Sequence, residues 1–265
     1  MSVSMSSQSL INKVAIVTGA SRGIGAAIAR ELSNRGARVV INYPTPAEKN
    51  EVEAVRQALA SPENATIAEA DLSTREGPAL LAEAAAKAHG NRIDILVNNA
   101  AIGPMIPFES PDDDALNAAW DKTINLNCRG TYFLTRAVLP YLTKTNSRII
   151  NITSDNARDP QHNSSIYAGT KGMIETLTRS WARDLPRKYG CTVNSVAPGP
   201  TSTEAMKSFP NEFHEKLQPV LDRMPIASRM GTPKEVAWVV AMLAEEGASW
   251  VNGQIVSVSG GSVLS

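Results

Sequence analysis

Short apolar runs alternate along this chain with longer stretches whose apolar residues recur every three or four positions. Residues 14–18 (Val-Ala-Ile-Val-Thr), 38–42, 65–70, 93–97, 148–152, 191–197 and 254–258 are brief, continuous and rich in Val, Ile and Ala, the pattern of strands buried on both faces. Between them, residues 26–35 have helical composition and end at Gly36, and residues 48–60 carry Val52, Val55 and Leu59 on one stripe. Residues 76–88 are alanine-rich and helical, 115–145 form one or two long helices, and 165–188, 211–221 and 233–246 are further helices. Strands and helices in strict alternation predict an α/β fold, a doubly wound three-layer αβα sandwich around a seven-stranded parallel sheet. No tandem repeat or linker divides the chain, so residues 11–265 are expected to be one domain. Residues 201–230, irregular and rich in Pro and Met, are expected to form a lid over the site.

Composition narrows the picture. Hydrophobic residues are 43% of the 265 and charged residues 20%, ordinary values for a globular protein. Lys+Arg and Asp+Glu balance at 26 each, so no global field favours nucleic acid or an anionic membrane. Cys128 and Cys191 make neither a CxxC nor a metal spacing, which fits a reducing compartment and argues against a disulfide framework. Residues 1–10 are serine-rich without a basic or apolar signal region, so a disordered tail and a cytoplasmic location are expected; no run is long enough to span a membrane. Asp112, Asp113 and Asp114 read as a solvated helix start rather than a metal site.

Two stretches carry chemistry. The first strand runs directly into Gly19-Ala-Ser21-Arg22-Gly23-Ile24-Gly25 and then a helix. Glycines there allow a tight turn and close backbone approach to a pyrophosphate at the helix's positive end. The second is Ser154 at the end of the fifth strand, followed by Tyr167 and Lys171, four apart on one helical face. Such a pair can be an exposed contact with no chemistry. As a reacting pair, an ammonium about 4 Å from the phenol contributes roughly 4 kcal/mol at an effective dielectric near 20 before desolvation is subtracted, enough to lower the tyrosine by a few pKa units. Tyr167 could then transfer a proton at neutral pH, with Ser154 donating to a substrate oxygen.

In this order and spacing the motifs resemble the short-chain dehydrogenase/reductase family, of the single-domain type that includes 3-oxoacyl-carrier-protein reductases and fungal polyketide or naphthol reductases. The resemblance covers about residues 13–261 and implies a Rossmann-like fold. Thr18 to Gly25 fits the family's TGxxxGxG turn, Asp71-Leu72 the pair contacting adenine, and Asn98-Asn99-Ala100 most of its NNAG turn. Asn127 falls on the active-site asparagine, implied to support a proton-relay water, and completes a tetrad with Ser154, Tyr167 and Lys171. Pro198-Gly199, with Thr201 and Thr203, resembles the loop near the nicotinamide carboxamide. Ala101 departs from the family's glycine, a change tolerated where φ is negative, and Ser259 from its aspartate. Asp155 is open to two readings, a specificity element beside the substrate pocket or, the one favoured, a strand-end turn former, and His162 is the one histidine placed to line a pocket.

The resemblance implies an NADP(H)-dependent carbonyl reductase, with a small-molecule ketone as substrate and a homotetramer as the assembly. Lys171 would hold the ribose and lower the Tyr167 pKa. The second strand ends in Asn42-Tyr43 with no acid, while Arg22 stands where NADP-preferring members carry a basic residue that can grip a phosphate. Three alternatives remain open at this level: an alcohol dehydrogenase working oxidatively, a non-redox cyclase or isomerase, and a cofactor-binding regulator.

Overall fold

A computed structural model of the protein describes residues 8–209 and 211–264. Seven parallel strands, β1 (Val14–Val17), β2 (Arg38–Tyr43), β3 (Thr66–Glu69), β4 (Ile95–Asn98), β5 (Ser147–Ile152), β6 (Cys191–Pro198) and β7 (Ile255–Val258), lie in the order β3-β2-β1-β4-β5-β6-β7. The order reverses between β1 and β4, so their carboxyl ends open a crevice.

The period of two along each strand decides which layer it feeds. Ala15, Val17, Val39, Ile41, Ile95 and Val97 face the layer built by α1 (Gly23–Asn34), α2 (Lys49–Gln57) and α10 (Pro233–Ala244). Ile16, Val40, Leu96, Ile149 and Val193 face α3 (Gly77–Ala88), α5 (Thr131–Val138) and α6 (Ser165–Asp184). The inner strands β1, β4, β5 and β6 are buried on both faces, while the edge strands β3 and β7 are partly open. The three-layer αβα sandwich and its seven-stranded parallel sheet stand as expected.

Local chemistry adjusts several boundaries. The long helical stretch at 115–145 is α4 (Asp113–Thr123), a π-helical segment (Ile124–Gly130) and α5, ended by a 3-10 turn at Leu139–Tyr141 that contains Pro140. Asp112 caps α4, its side chain accepting from Ala115 N at 2.8 Å, so the acidic run does begin a helix. Likewise α6 stops at Asp184 and Pro186 opens a separate turn, α7 (Pro186–Tyr189), closed by Gly190 at φ +61°. Ala101 is not among the residues with positive φ, so its methyl is tolerated.

The expected tail at 1–10 needs a corrected end. Residues 1–7 lie outside the described residues, but Leu10 is 1% exposed, its N–H donates to Arg35 O at 2.8 Å, and Ser9 donates to Glu245 at 2.7 Å. A leucine inserted between α1 and α10 anchors the chain before β1 begins. In segment 201–230 the expected helix at 211–221 is α9 (Asn211–Leu221), preceded by the short α8 (Glu204–Lys207), and Leu217, Leu221 and Met224 bury against Met206, Phe213, Val220 and Met230 in a cluster of their own.

Candidate active site

Thr18, just past β1, ties two turns together. Its Oγ1 accepts from Asn99 N at 2.8 Å and Ala100 N at 2.9 Å, while Asn99 Nδ2 donates to Thr18 O at 2.7 Å and Gly19 O at 3.1 Å. The turn after β1 therefore packs directly on the turn after β4. A Cβ on Gly19 (φ +58°) would stand 2.9 Å from Ala100 Cα, and one on Gly25 would stand 2.3 Å from Gly19 O. Glycine is required at both positions by contact. The first turn of α1 carries no acid and no side-chain cap, so its N–H groups and positive dipole end are left for an anion.

From this turn a cleft of about 1450 Å³ runs across the carboxyl end of the sheet. That is more than a drug-sized ligand needs, and room enough for a dinucleotide with a substrate beside it. Gly19, Ser21, Arg22, Gly23, Ile24, Asn42, Asp71, Leu72 and Ala100 line one end; Ser154, Tyr167, Lys171, Pro198, Gly199, Thr201 and Thr203 line the other. Thr203 caps α8, accepting from Met206 N at 3.1 Å, and its methyl packs over Gly23, so the lid segment begins against the glycine turn.

Four expected site residues do not line the cleft. Gly25 acts through close packing, as above. Tyr43 is 4% exposed on the α1/α2 face and donates to Glu69 at 3.0 Å, because one step along β2 from Asn42 reverses the side chain. Its assignment to the cofactor is corrected to a core position. Asn98 lies inside the sheet, donating to Asn151 at 2.8 Å and Thr135 at 3.0 Å, and the neighbouring Asn99 takes its place at the cleft. Asn127, on the π-helical segment, accepts from Ile102 N at 3.0 Å and donates to Ile102 O at 2.8 Å and Thr170 Oγ1 at 3.1 Å. Its side chain holds the loop at Ile102 against the start of α6.

Asn42, by contrast, lines the cleft while fixing its wall. Its Oδ1 accepts from Gly19 N at 3.3 Å and its Nδ2 donates to Ala68 O and Ala70 O.

At the far end, Ser154 Oγ accepts from Asn156 N at 3.2 Å and donates weakly to Asp155 Oδ1 at 3.3 Å. Lys171 is 4% exposed, donates to Ile152 O at 2.8 Å, and its Nζ lies 5.5 Å from the centroid of the Tyr167 ring. Burial pushes the Lys171 pKa down to about 8. Tyr167 goes the other way. Although its ring edges the cleft, the surrounding protein desolvates it and pushes the phenol up to about 12, with Ser154 opposing and the Asp155 carboxylate adding to the rise. The expected lowering of Tyr167 by Lys171 is thus corrected: the ammonium is turned toward the Ile152 carbonyl, and desolvation dominates.

Asp155 does more than form a turn. Its Oδ2 accepts from Ser262 Oγ at 3.0 Å, tying the segment after β7 to the residue beside Ser154, and burial raises its pKa above the ordinary carboxylate value. His162 is exposed and borders the cleft. Glu48 is a cleft residue that the sequence did not reveal, since it comes from the 3-10 turn after β2 rather than from the strand end. Strand alternation across Asn98-Asn99 was a usable signal for Asn99; no comparable signal marks Glu48. Among the described residues no group of three His, Cys, Asp or Glu side chains is placed to hold a metal ion, and no helix is long and apolar enough to cross a membrane.

A family model described as Enoyl-(Acyl carrier protein) reductase matches residues 19–263. Similar proteins include the short-chain dehydrogenase/reductase FrzI of a Cladobotryum species, 41% identical over 96% of this chain and 97% of that protein. The hydroxynaphthalene reductase-like protein Arp2 of Metarhizium guizhouense is 33% identical over 97% of each. Among solved structures, a blue fluorescent protein from a metagenomic library in complex with NADPH superposes with a TM-score of 0.85 at 32% identity, over 97% of this chain and all of that one.

Proposed function

The chain belongs to the short-chain dehydrogenase/reductase family, and on that premise we propose that it is an NADPH-dependent ketone reductase in which Tyr167 delivers the proton. The observation that carries this reading is the convergence of Ser154, Tyr167 and Lys171 on one wall of a cleft whose other end is a glycine turn free for an anion. The NADPH complex of a structural relative supports the cofactor. A relative named hydroxynaphthalene reductase-like is in keeping with a ketone of polyketide or 3-oxoacyl type.

When bound, NADP(H) supplies the hydride, and the protein supplies orientation and electrostatics. The backbone N–H groups at the start of α1 would hold the pyrophosphate. Lys171 spends one of its three N–H donors on Ile152 O, which leaves the others for ribose hydroxyls. Ser154 swings its weakly held proton from Asp155 to the substrate oxygen, where a preorganised donor is most effective as negative charge develops. Tyr167, protonated well past neutrality, is a donor in the resting state; a growing alkoxide is basic enough to take its proton. Segment 201–230 closes over the substrate, its own apolar cluster letting it move as a unit, and the protein works as a homotetramer in the cytoplasm.

The test is NADPH consumption with a panel of cyclic and 3-oxoacyl ketones, for wild type and Ser154→Ala. Ketone-dependent consumption, reduced by about 10²-fold in Ser154→Ala, is expected. NADPH binding without turnover of any ketone would point instead to a regulator or a non-redox enzyme.

A further inference from the structure

Glu48, at the end of the turn that follows β2, borders the cleft beside the glycine turn. Its Oε2 accepts from Ser21 Oγ at 2.5 Å, a short charge-assisted bond, and its Oε1 lies 3.9 Å from Arg22 Nη2. Ser21 and Arg22 both belong to the glycine turn. They border the same end of the cleft as Asn42, Asp71 and Leu72, at the carboxyl ends of β2 and β3. In nucleotide-binding sheets that position meets the ribose 2′ substituent: an acid accepts from a hydroxyl, a guanidinium pairs with a phosphate. Here both kinds of residue are present and already paired with each other.

Neither partner is fixed by anything deeper. The Arg22 side chain is 62% exposed and that of Glu48 is 22% exposed, on a turn that opens at Pro44-Thr45-Pro46. The pair can separate without disturbing the core.

Resting on the proposed NADPH-dependent function, we infer that Glu48 is a specificity-determining residue, an internal anion that holds Ser21 and Arg22 until a 2′-phosphate displaces it. Binding NADPH swaps one anion for another on the same two donors, so part of the gain from Arg22 is offset by releasing Glu48. NADH needs no such exchange: Glu48 keeps its partners and can accept from the ribose hydroxyls. The protein therefore uses both cofactors, with a preference for NADPH smaller than Ser21 and Arg22 alone would confer. The isosteric Glu48→Gln removes the competing charge while keeping an acceptor for Ser21.

The experiment is calorimetric titration of wild type, Glu48→Gln and Glu48→Ala with NADPH, NADH, adenosine 2′,5′-bisphosphate and 5′-AMP, each variant first checked for native circular dichroism and Tm. In Glu48→Gln the Kd for NADPH and for the bisphosphate should fall about five- to twentyfold, the scale of one like-charge contact at a partly exposed site. NADH and 5′-AMP should bind no tighter than in wild type. Glu48→Ala should show the same direction, which separates charge removal from the particular shape of glutamine. A NADPH-to-NADH ratio within twofold of wild type in both variants, or equal tightening of all four ligands, overturns the role of Glu48 and leaves the reductase reading intact. Failure of wild type to bind either dinucleotide overturns the reductase reading itself, and the inference with it.

Discussion

Lys171 shows how far residue spacing reaches. Four positions from Tyr167 on α6, it shares a helical face, and the structure keeps both at the cleft. Spacing could not say that Nζ would turn to Ile152 O or that burial would dominate both titrations, because desolvation depends on everything packed around the pair. A lysine with a pKa near 8 loses its charge just above neutrality. We expect kcat/KM for reduction to be flat around pH 7 and to fall above about pH 8, with no limb from the Tyr167 phenol until far higher pH. A pH profile flat to pH 10 would contradict this. The same shift has a stability consequence. With a folded pKa of about 8 against an ordinary 10.5, the unfolded chain binds more protons between those values, so this group's contribution to stability rises with pH across that window. Below pH 8 the folded state carries the full cost, about 3 kcal/mol. Lys171→Met should therefore abolish turnover yet stabilise the fold at pH 7. After about 1 kcal/mol for the lost Ile152 hydrogen bond, a net gain of about 2 kcal/mol is expected. Denaturant unfolding at pH 7 and pH 10 checks it: the advantage over wild type should shrink at the higher pH.

At the scale of elements, the strands were legible because a parallel sheet covered on both faces leaves continuous apolar runs that few other structures need. Helix ends were legible where Pro or Gly set them, and misjudged where a π-helical segment joins α4 to α5, since nothing in a sequence period marks one extra residue per turn. The one-residue error at Asn98 and Tyr43 has the same origin: adjacent strand residues face opposite layers, and a motif aligned by name does not say which. No sequence pattern marks Asp94, just before β4. Fully buried, it accepts from Val14 N at 2.9 Å, Arg92 Nε and Nη2 at 2.9 Å and Thr143 Oγ1 at 3.1 Å, pinning the starts of β1 and β4 to the loop before β5. Burial would raise its pKa, but Arg92, the Val14 amide and Lys13 together hold it below the ordinary value. Its folded pKa being depressed, Asp94 contributes stability above about pH 4 that is lost as pH falls through that pKa. Asp94→Asn should cost about 2 to 4 kcal/mol while kcat is retained, because the residue lies at the opposite end of the sheet from the cleft. Thermal unfolding beside a steady-state assay separates the two effects; an unchanged Tm would show that this network carries little.

For the whole molecule, both helical layers present apolar side chains to solvent. Tyr132, Phe133 and Met173 are partly exposed on α5 and α6, and Trp120 on α4; in the other layer Trp238 is 56% exposed on α10, and Trp250 beyond it is 97% exposed. Two such surfaces on different layers fit a tetramer with two kinds of two-fold interface, the assembly proposed above. Trp250→Glu with Trp238→Glu should split a tetramer to dimers in light scattering, and a wild-type protein that is monomeric at micromolar concentration would remove the proposal. The position of the cleft was readable from sequence through the glycine turn after the first strand and Ser154 at the end of the fifth, both at carboxyl ends of a parallel sheet. The contact of Glu48 with Ser21 and the tie from Asp155 to Ser262 were not, since both depend on how loops fold back over the sheet edge.

The most direct measurement of the reductase reading is single-turnover reduction of a ketone by NADPH with Tyr167→Phe against wild type, with NADPH affinity measured in parallel. If Tyr167 is the proton donor, the rate falls by at least about 10²-fold while Kd for NADPH changes little, since the ring remains and only the hydroxyl is lost. A variant that reduces the ketone at near wild-type rate would contradict the account.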